Sequence, residues 1–546
     1  MITTHPRSAR SRSGESNGRA RPHDADAQPL SPSGRAQGLL DPDELALACT
    51  APGVPGLVPH PQQSLALVPG WVLGQLDASQ RGVIVLGVDG LSWSLAAACW
   101  HAAELACLTS TFPTTSATAW LTALTGVGPA EHLAAANSYL VPALGTVVDA
   151  VTAQPITWPG QAALPLEAST DAQLVAPQHP TLFERARQQG VTCVAVTREF
   201  DGLPGPWTDA LLRGADRWDR GKTSASALQA QAADPPSLAT AVIGDVEQVL
   251  AEHPGDALVW AYVNLDDYAH LHGYDGAAEQ ALAALETAAT RWAGQGWTVI
   301  AHADHGQVRR VRDQGLEAVW AAVDTPALCA FPGAGAGRTR WLYPRPGKAA
   351  EVAERLRQGL GPNALVLSAS ELVDLGLVSD APRLLERVGE VVALARTEHF
   401  PLEDPDMLCE HGGVGPDEML VPLATWPRPD LTPWSGSAAD IEHNSLPMTT
   451  LRGHSDQQFD PPRSVLDTSA ESLAKGDRVI VVGRLKTRSW ETPEGEKRSV
   501  TEIDADEVAP SLRWATAKPQ RTSPSASAGG GSQAKPTGQF NNEPPF

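Results

Sequence analysis

Five short segments carry side chains able to hold a metal ion or attack phosphorus. Asp89 closes an apolar run, Val83-Ile84-Val85-Leu86-Gly87-Val88, and is followed by Gly90. Phe112-Pro113-Thr114-Thr115-Ser116-Ala117-Thr118 gathers hydroxyls beside an expected helix start. Asp266 and His270 stand one helical turn apart, so a helix places both on one face. Asp304-His305 follows another apolar run, and His411-Gly412-Gly413 comes last. Singly, each has an ordinary explanation: a strand-end Asp bonds a loop, hydroxyls cap a helix, and an Asp/His pair makes a surface ion pair. Together they offer the oxygen and nitrogen donors that zinc accepts. Two such ions about 4 Å apart clamp the attacking and leaving oxygens of a phosphoryl group. A hydroxyl acidified on one of them is a nucleophile at neutral pH.

These residues can meet only if the strands that carry them end at one edge. Val83–Val88, Val191–Val196, Ala257–Val263 and Trp297–Ala301 are short, continuous apolar runs, the pattern of parallel strands buried on both faces. Helical stretches at Thr181–Gln189 and Gly276–Gly294 alternate with them. The alternation predicts an α/β fold, a three-layer sandwich with a mostly parallel sheet and helices on both faces. Its site lies outside the carboxyl ends of the strands. Strand alternation turns His302 away from that edge. Helical spacing turns His272 to another face, and Asp267 is assigned to a supporting or surface position.

A chain of 546 residues, 42% hydrophobic, can bury a large core. Its formal charge of -22 disfavours sequence-independent attachment to duplex DNA. The six cysteines are scattered without a C-x-x-C pair, as expected of buried thiols in a reducing compartment. The first forty residues carry arginines but no apolar core of a signal peptide, and no run of about 18 apolar residues occurs. The expected location is cytoplasmic, without a membrane partner. Composition divides the chain into a disordered 1–45, a main domain 46–426, a Pro/Ser/Asp-rich linker 427–468, a short block 469–518, and a low-complexity tail 519–546.

The segments VDG, FPTTSATA, DDYAHLHG, ADHG and HGG, in that order, resemble the alkaline phosphatase superfamily, in its type I phosphodiesterase/nucleotide pyrophosphatase branch. The likeness spans roughly residues 50–425 and is closest to actinobacterial alkaline phosphatase family proteins; the stretch from His411 to Leu423 also resembles the closing segment of PglZ-type domains. The resemblance implies two zinc ions, with other divalent metals as alternatives. Asp89, Asp304 and His305 would hold one, with the nucleophile's oxygen, and Asp266, His270 and His411 the other. Ser116 occupies the position of the family nucleophile, usually Thr, and Thr115 takes that role if the loop is shifted by one residue. The implied reaction is hydrolysis of a phosphodiester, pyrophosphate or phosphomonoester through a covalent phospho- or nucleotidyl-serine. Asn137 is a candidate phosphate-oxygen donor. Glu131-His132-Leu133 departs from the family's EHG segment, so the local turn is expected to differ.

The block 469–518 combines a β-branched run at Val479–Val482, a turn at Glu494-Gly495-Glu496 and an alternating strand at Arg498–Ile503. Arg484, Lys486 and Arg488 surround Trp490, and a basic groove with an aromatic platform suits single-stranded nucleic acid. The block resembles the second half of a bacterial single-stranded DNA-binding protein, and Asn541–Phe546 resembles that family's partner-recruiting tip. Single-stranded DNA or replication and repair proteins are the implied partners. The opening strands of that OB-fold are missing upstream, which leaves open edges and a divided core. The segment is therefore expected to be a fused partial OB-fold remnant. The alternatives are a single-stranded DNA-associated protein using this segment and tail, completion by another subunit's strands, and a degenerate main domain that binds metal without turnover.

Overall fold

The computed structural model describes residues 39–79, 81–161, 175, 179–197, 200, 205–218, 233–255, 257–401 and 406–426, with the strands 479–491 and 497–510. The chain divides into two units, Met1–Ser435 and Gly436–Phe546. The expected linker 427–468 and tail 519–546 lie outside the described residues, as does the expected disordered segment up to residue 38. Order begins before the expected boundary at 46. A helix at Pro42–Ala48 is closed by a capping box between Asp41 and Glu44, and its Leu45 is buried.

The first unit contains, in chain order, β1 (Gly82–Asp89), β2 (Glu104–Thr109), β3 (Ser138–Val141), β4 (Thr146–Asp149), β5 (Pro155–Ile156), β6 (Thr192–Val196), β7 (Asp216–Arg217), β8 (Ala257–Asn264), β9 (Thr298–Ala303), β10 (Val308–Arg309), β11 (Cys329–Ala336), β12 (Thr339–Pro344), β13 (Ala364–Ser368), β14 (Val391–Ala395), β15 (Cys409–Glu410) and β16 (Leu420–Trp426). The central seven-stranded sheet has the order β2-β16-β9-β1-β8-β6-β7. Its strands from β9 to β7 run parallel, and β16 pairs antiparallel with both β9 and β2 on one side. Every residue of β1, β8 and β9 is buried, which their uninterrupted apolar sequence requires. Helices Val68–Ala78, Ser116–Thr125 and Leu182–Gln188 pack together on one face, and Trp93–Cys99, Pro235–Glu252 and Gly276–Gly294 on the other. The expected α/β sandwich is therefore present. In register, Asp89 lies opposite Asn264 and Val88 opposite Ala303, so β1, β8 and β9 end level.

A second seven-stranded sheet, ordered β13-β14-β12-β11-β3-β4-β5, was not visible in the sequence. Its paired strands are antiparallel. Several are short, and β11 reads Cys-Ala-Phe-Pro-Gly-Ala-Gly-Ala with two register irregularities, a pattern without clean period-two alternation. It has its own core, in which Leu316, Trp320, Val352, Leu356 and Phe400 pack over β12, β13 and β14. Burial of each such side chain contributes about 1.5–3 kcal/mol. Pairing of Gly335 with Ser138 joins β11 to β3.

All six cysteines are free, and Cys49, Cys107, Cys193 and Cys329 are buried. Among the described residues no helix is long and apolar enough to cross a membrane. In the second unit, β17 (Val479–Glu491) and β18 (Lys497–Pro510) form an antiparallel pair. Arg484, Lys486, Arg488 and Trp490 occupy register positions opposite Asp504, Glu502, Val500 and Arg498.

Candidate active site

The level ends of three neighbouring strands gather the acids. Asp89 ends β1, Asp266 opens the helix Asp266–His272 directly after β8, and Asp304 follows β9. Gly90 sits between them at φ +71°, and a Cβ there would meet Asp266 Oδ1 at 2.6 Å. Only glycine permits both that left-handed backbone and that approach. His305 follows Asp304, and His411 follows β15, which pairs with β10 just beyond the Asp304-His305 segment. Gly412, at φ +101°, lets the chain pass close to the Ala336 carbonyl, where a Cβ would lie 2.3 Å from the oxygen.

Two ligand groups result, and His305 belongs to both. Asp89, Asp304 and His305 can place one donor atom each within 4.8 Å of one another, and so can Asp266, His305 and His411. His270 completes the second group, with Nε2 3.1 Å from Asp266 Oδ2, while His411 Nε2 lies 3.8 Å from the same oxygen. Each imidazole is held by its other nitrogen. The Nδ1–H groups of His270, His305 and His411 donate to the carbonyls of Cys409, Gly306 and Thr114 at 2.9, 3.1 and 2.7 Å. A carbonyl can only accept, so Nδ1 keeps its proton in each ring and Nε2 is the nitrogen left to face a ligand.

The carboxylates are oriented the same way. Tyr262 Oη and Trp120 Nε1 both donate to Asp89 Oδ2, which leaves Oδ1 toward Ser116 and His305. Asp304 Oδ1 accepts from the Gly90 amide, while its Oδ2 is buried without a hydrogen-bond partner. Gln307 Nε2 donates to Asp266 Oδ1. Tyr262, Trp120 and Gln307 gave no sequence signal as site residues, because two read as core aromatics and the third as a loop amide.

Ser116 is the first residue of the helix Ser116–Thr125. Its Oγ lies 3.3 Å from Asp89 Oδ1 and 3.1 Å from His305 Nε2. Thr115, the residue before the helix, makes no capping bond; its hydroxyl donates to Asn137 Oδ1. Asn137, Ser138, Arg340, His270, Glu410 and His411 help line a cavity of about 290 Å³ beside the ligands. His302 packs against Trp120, away from both groups, and His272 and Asp267 are exposed. At Glu131-His132-Leu133 the short helix Pro129–His132 ends on Leu133, which is buried at φ +65° and ψ +9°. A left-handed leucine costs roughly 1–2 kcal/mol, against which stands the burial of its side chain.

Charge is distributed unevenly. Burial, together with the charge of Asp266, pushes Asp89 up to about 7. Burial, with Asp89 and Asp266 nearby, raises Asp304 well above the usual carboxylate range. Burial also opposes ionisation of Asp266, yet His270 and His411 hold it well below that range. Burial lowers His305 and His411 to about 4, so both rings are neutral. A divalent cation fits this set: three buried carboxylates, free Nε2 lone pairs and the unpartnered Asp304 Oδ2 supply donors and require positive charge.

Residues 83–415 match the model of the type I phosphodiesterase/nucleotide pyrophosphatase family, and residues 463–511 match that of the single-strand binding protein family. In the latter region the chain is 55% identical over 74 residues to the single-stranded DNA-binding protein of Mycobacterium tuberculosis, covering 14% of this chain and 45% of that protein. It is 65% identical over 60 residues to that of Corynebacterium glutamicum, covering 11% and 27%. The chain thus spans less than half the length of these curated relatives. Solved structures similar to it include phosphonoacetate hydrolase from Sinorhizobium meliloti, at TM-score 0.43 and 16% identity over 64% of this chain and 90% of that one. Murine ectonucleotide pyrophosphatase/phosphodiesterase 5 gives 0.43 and 16% over 63% and 88%. With the family model matched over more than half its length, the chain belongs to the type I phosphodiesterase/nucleotide pyrophosphatase family.

Proposed function

We propose that residues 46–426 hydrolyse a phosphodiester, pyrophosphate or phosphomonoester through a covalent phospho- or nucleotidyl-serine at Ser116, on a two-zinc centre. The observation that carries this reading is the position of Ser116 Oγ, within 3.3 Å of both Asp89 Oδ1 and His305 Nε2, where the two ligand groups meet. Asp89, Asp304, His305 and Ser116 would hold one ion, and Asp266, His270 and His411 the other. When bound, the ions supply Lewis acidity toward the phosphoryl oxygens and lower the pKa of a coordinated hydroxyl. Ser116 attacks phosphorus, the leaving group departs, and water cleaves the resulting ester. The amino terminus of helix Ser116–Thr125 presents its positive dipole end to the phosphoryl group. Asn137, its Oδ1 occupied by Thr115, offers its amide NH₂ to a phosphate oxygen. The same bond favours an orienting role for Thr115 over a nucleophilic one. The free cysteines support a reducing, cytoplasmic location. Metal analysis combined with hydrolysis of an aryl phosphodiester and an aryl phosphomonoester tests this reading. Metal-free protein, with unchanged activity in Asp304→Ala, overturns it.

The 55–65% identity of the second unit favours a second reading, in which that unit brings the hydrolase to single-stranded DNA through Arg484, Lys486, Arg488 and Trp490. Salt-sensitive binding of the full chain to oligothymidylate, lost in Arg484→Glu/Lys486→Glu/Arg488→Glu, is the expected result. No binding by the unaltered chain returns the segment to a fused remnant.

A further inference from the structure

Glu410 lies beside the second ligand group and has no place in the expected ligand set. It is 7% exposed and lines the same cavity as His270 and His411. Strand pairing fixes it, because Glu410 stands opposite Val308 in the β10–β15 pair, close after the Asp304-His305 segment. Its Oε1 is 3.8 Å from His411 Nε2 and 4.0 Å from His270 Nδ1, and these imidazoles are its ion-pair partners among the described residues. The Nδ1–H of His270 is directed at the Cys409 carbonyl and does not donate to Glu410. A buried carboxylate oxygen this close to two imidazoles is a donor that a divalent cation accepts. The opposing wall is cut away for it: Gly337 has φ +33°, and a Cβ there would lie 2.5 Å from Glu410 Oε1. His270, Glu410 and His411 can bring one donor atom each within 4.8 Å of one another.

We infer that Glu410 supplies a further carboxylate oxygen to the ion held by Asp266, His270 and His411. This inference rests on the two-metal reading above. It gives the second group two carboxylates and two imidazoles, enough for a four-coordinate ion, and zinc can expand to five donors when a phosphoryl oxygen enters. Glu410 also accepts the backbone N–H of His411 at 3.0 Å. A purely structural role would be met by that bond, which glutamine can also make.

Glu410→Gln therefore separates the two roles. Zinc binding to the full chain is measured by equilibrium dialysis with elemental analysis. The unaltered chain is expected to bind two equivalents. Glu410→Gln should keep one at unchanged affinity and bind the other about 10–100-fold more weakly, the range found when groups around a metal are altered. The retained equivalent reports that the fold persists. Glu410→Asp, which keeps the charge, should recover part of the loss. Two equivalents of unchanged affinity in Glu410→Gln overturn the assignment of Glu410 and leave the two-metal reading intact. Equal loss of both equivalents in the Gln and Asp variants also overturns it, in favour of a structural role. No metal in the unaltered chain overturns both.

Discussion

Around Asp89 and Asp304 two buried carboxyls meet neutral groups: Tyr262, Trp120, Ser116 and the Gly90 amide donate to them, and the His305 ring faces them with an unprotonated Nε2. Around Asp266 the carboxylate faces His270 directly, and despite burial that neighbour raises His270 well above its ordinary value. The difference teaches how one sheet edge can hold two unlike sites. The first group depends on a cation for its charge balance, whereas the second is partly balanced by its own imidazole. Loss of one donor should therefore damage the first group more.

The largest expected effect comes from replacing Asp304 Oδ2, a buried oxygen that accepts no hydrogen bond. Asp304→Asn should lower turnover roughly a thousandfold or more and abolish tight metal binding at the first group, as charge stabilisation by the ion is lost. Dialysis and steady-state kinetics check this, and near-normal metal content would erase the contrast between the groups. Gln307→Leu frees Asp266 Oδ1 from its donor. It should weaken metal binding at the second group about 10–100-fold and spare the first.

Acid should act on the first group as pH falls through neutrality. Without metal, Asp89 takes up a proton below about pH 7, above its ordinary value, so an incoming ion must displace that proton. The rise in melting temperature produced by added zinc should therefore increase with pH through neutrality. Calorimetry at pH 6 in buffers of different ionisation enthalpy should show proton release on binding. A zinc-induced shift independent of pH between 5 and 8 would break the comparison. The smallest effect is expected at Leu133, outside both groups. Leu133→Gly relieves a left-handed leucine but forfeits its buried side chain, a net loss of about 1 kcal/mol in denaturant unfolding with metal content unchanged.

The acids at strand ends were legible because continuous apolar runs mark buried parallel strands, and such strands deliver their next residue to one edge. Asp266 and His270 were legible through helical spacing. The groups that aim these ligands were not. Tyr262 and Trp120 reach Asp89 from 173 and 31 residues away, and nothing local distinguishes them from core aromatics. Glu410 is next to His411 in sequence, yet its place beside both His270 and His411 follows from the fold, in which β15 pairs with β10. The antiparallel sheet escaped because strands such as β11 carry Pro and Gly at bulges instead of an alternating pattern. The left-handed backbone at Leu133 was not legible either, because a leucine gives no local signal for it and its buried packing is set by distant residues.

The central claim is that Ser116 is the attacking group. Its most direct test is mass spectrometry of the zinc-loaded chain, acid-quenched during hydrolysis of bis(4-nitrophenyl) phosphate. A phosphoryl or aryl-phosphoryl adduct on Ser116, absent in Ser116→Ala together with turnover, is the predicted result. An adduct on Thr115, or unchanged turnover in Ser116→Ala, would contradict it.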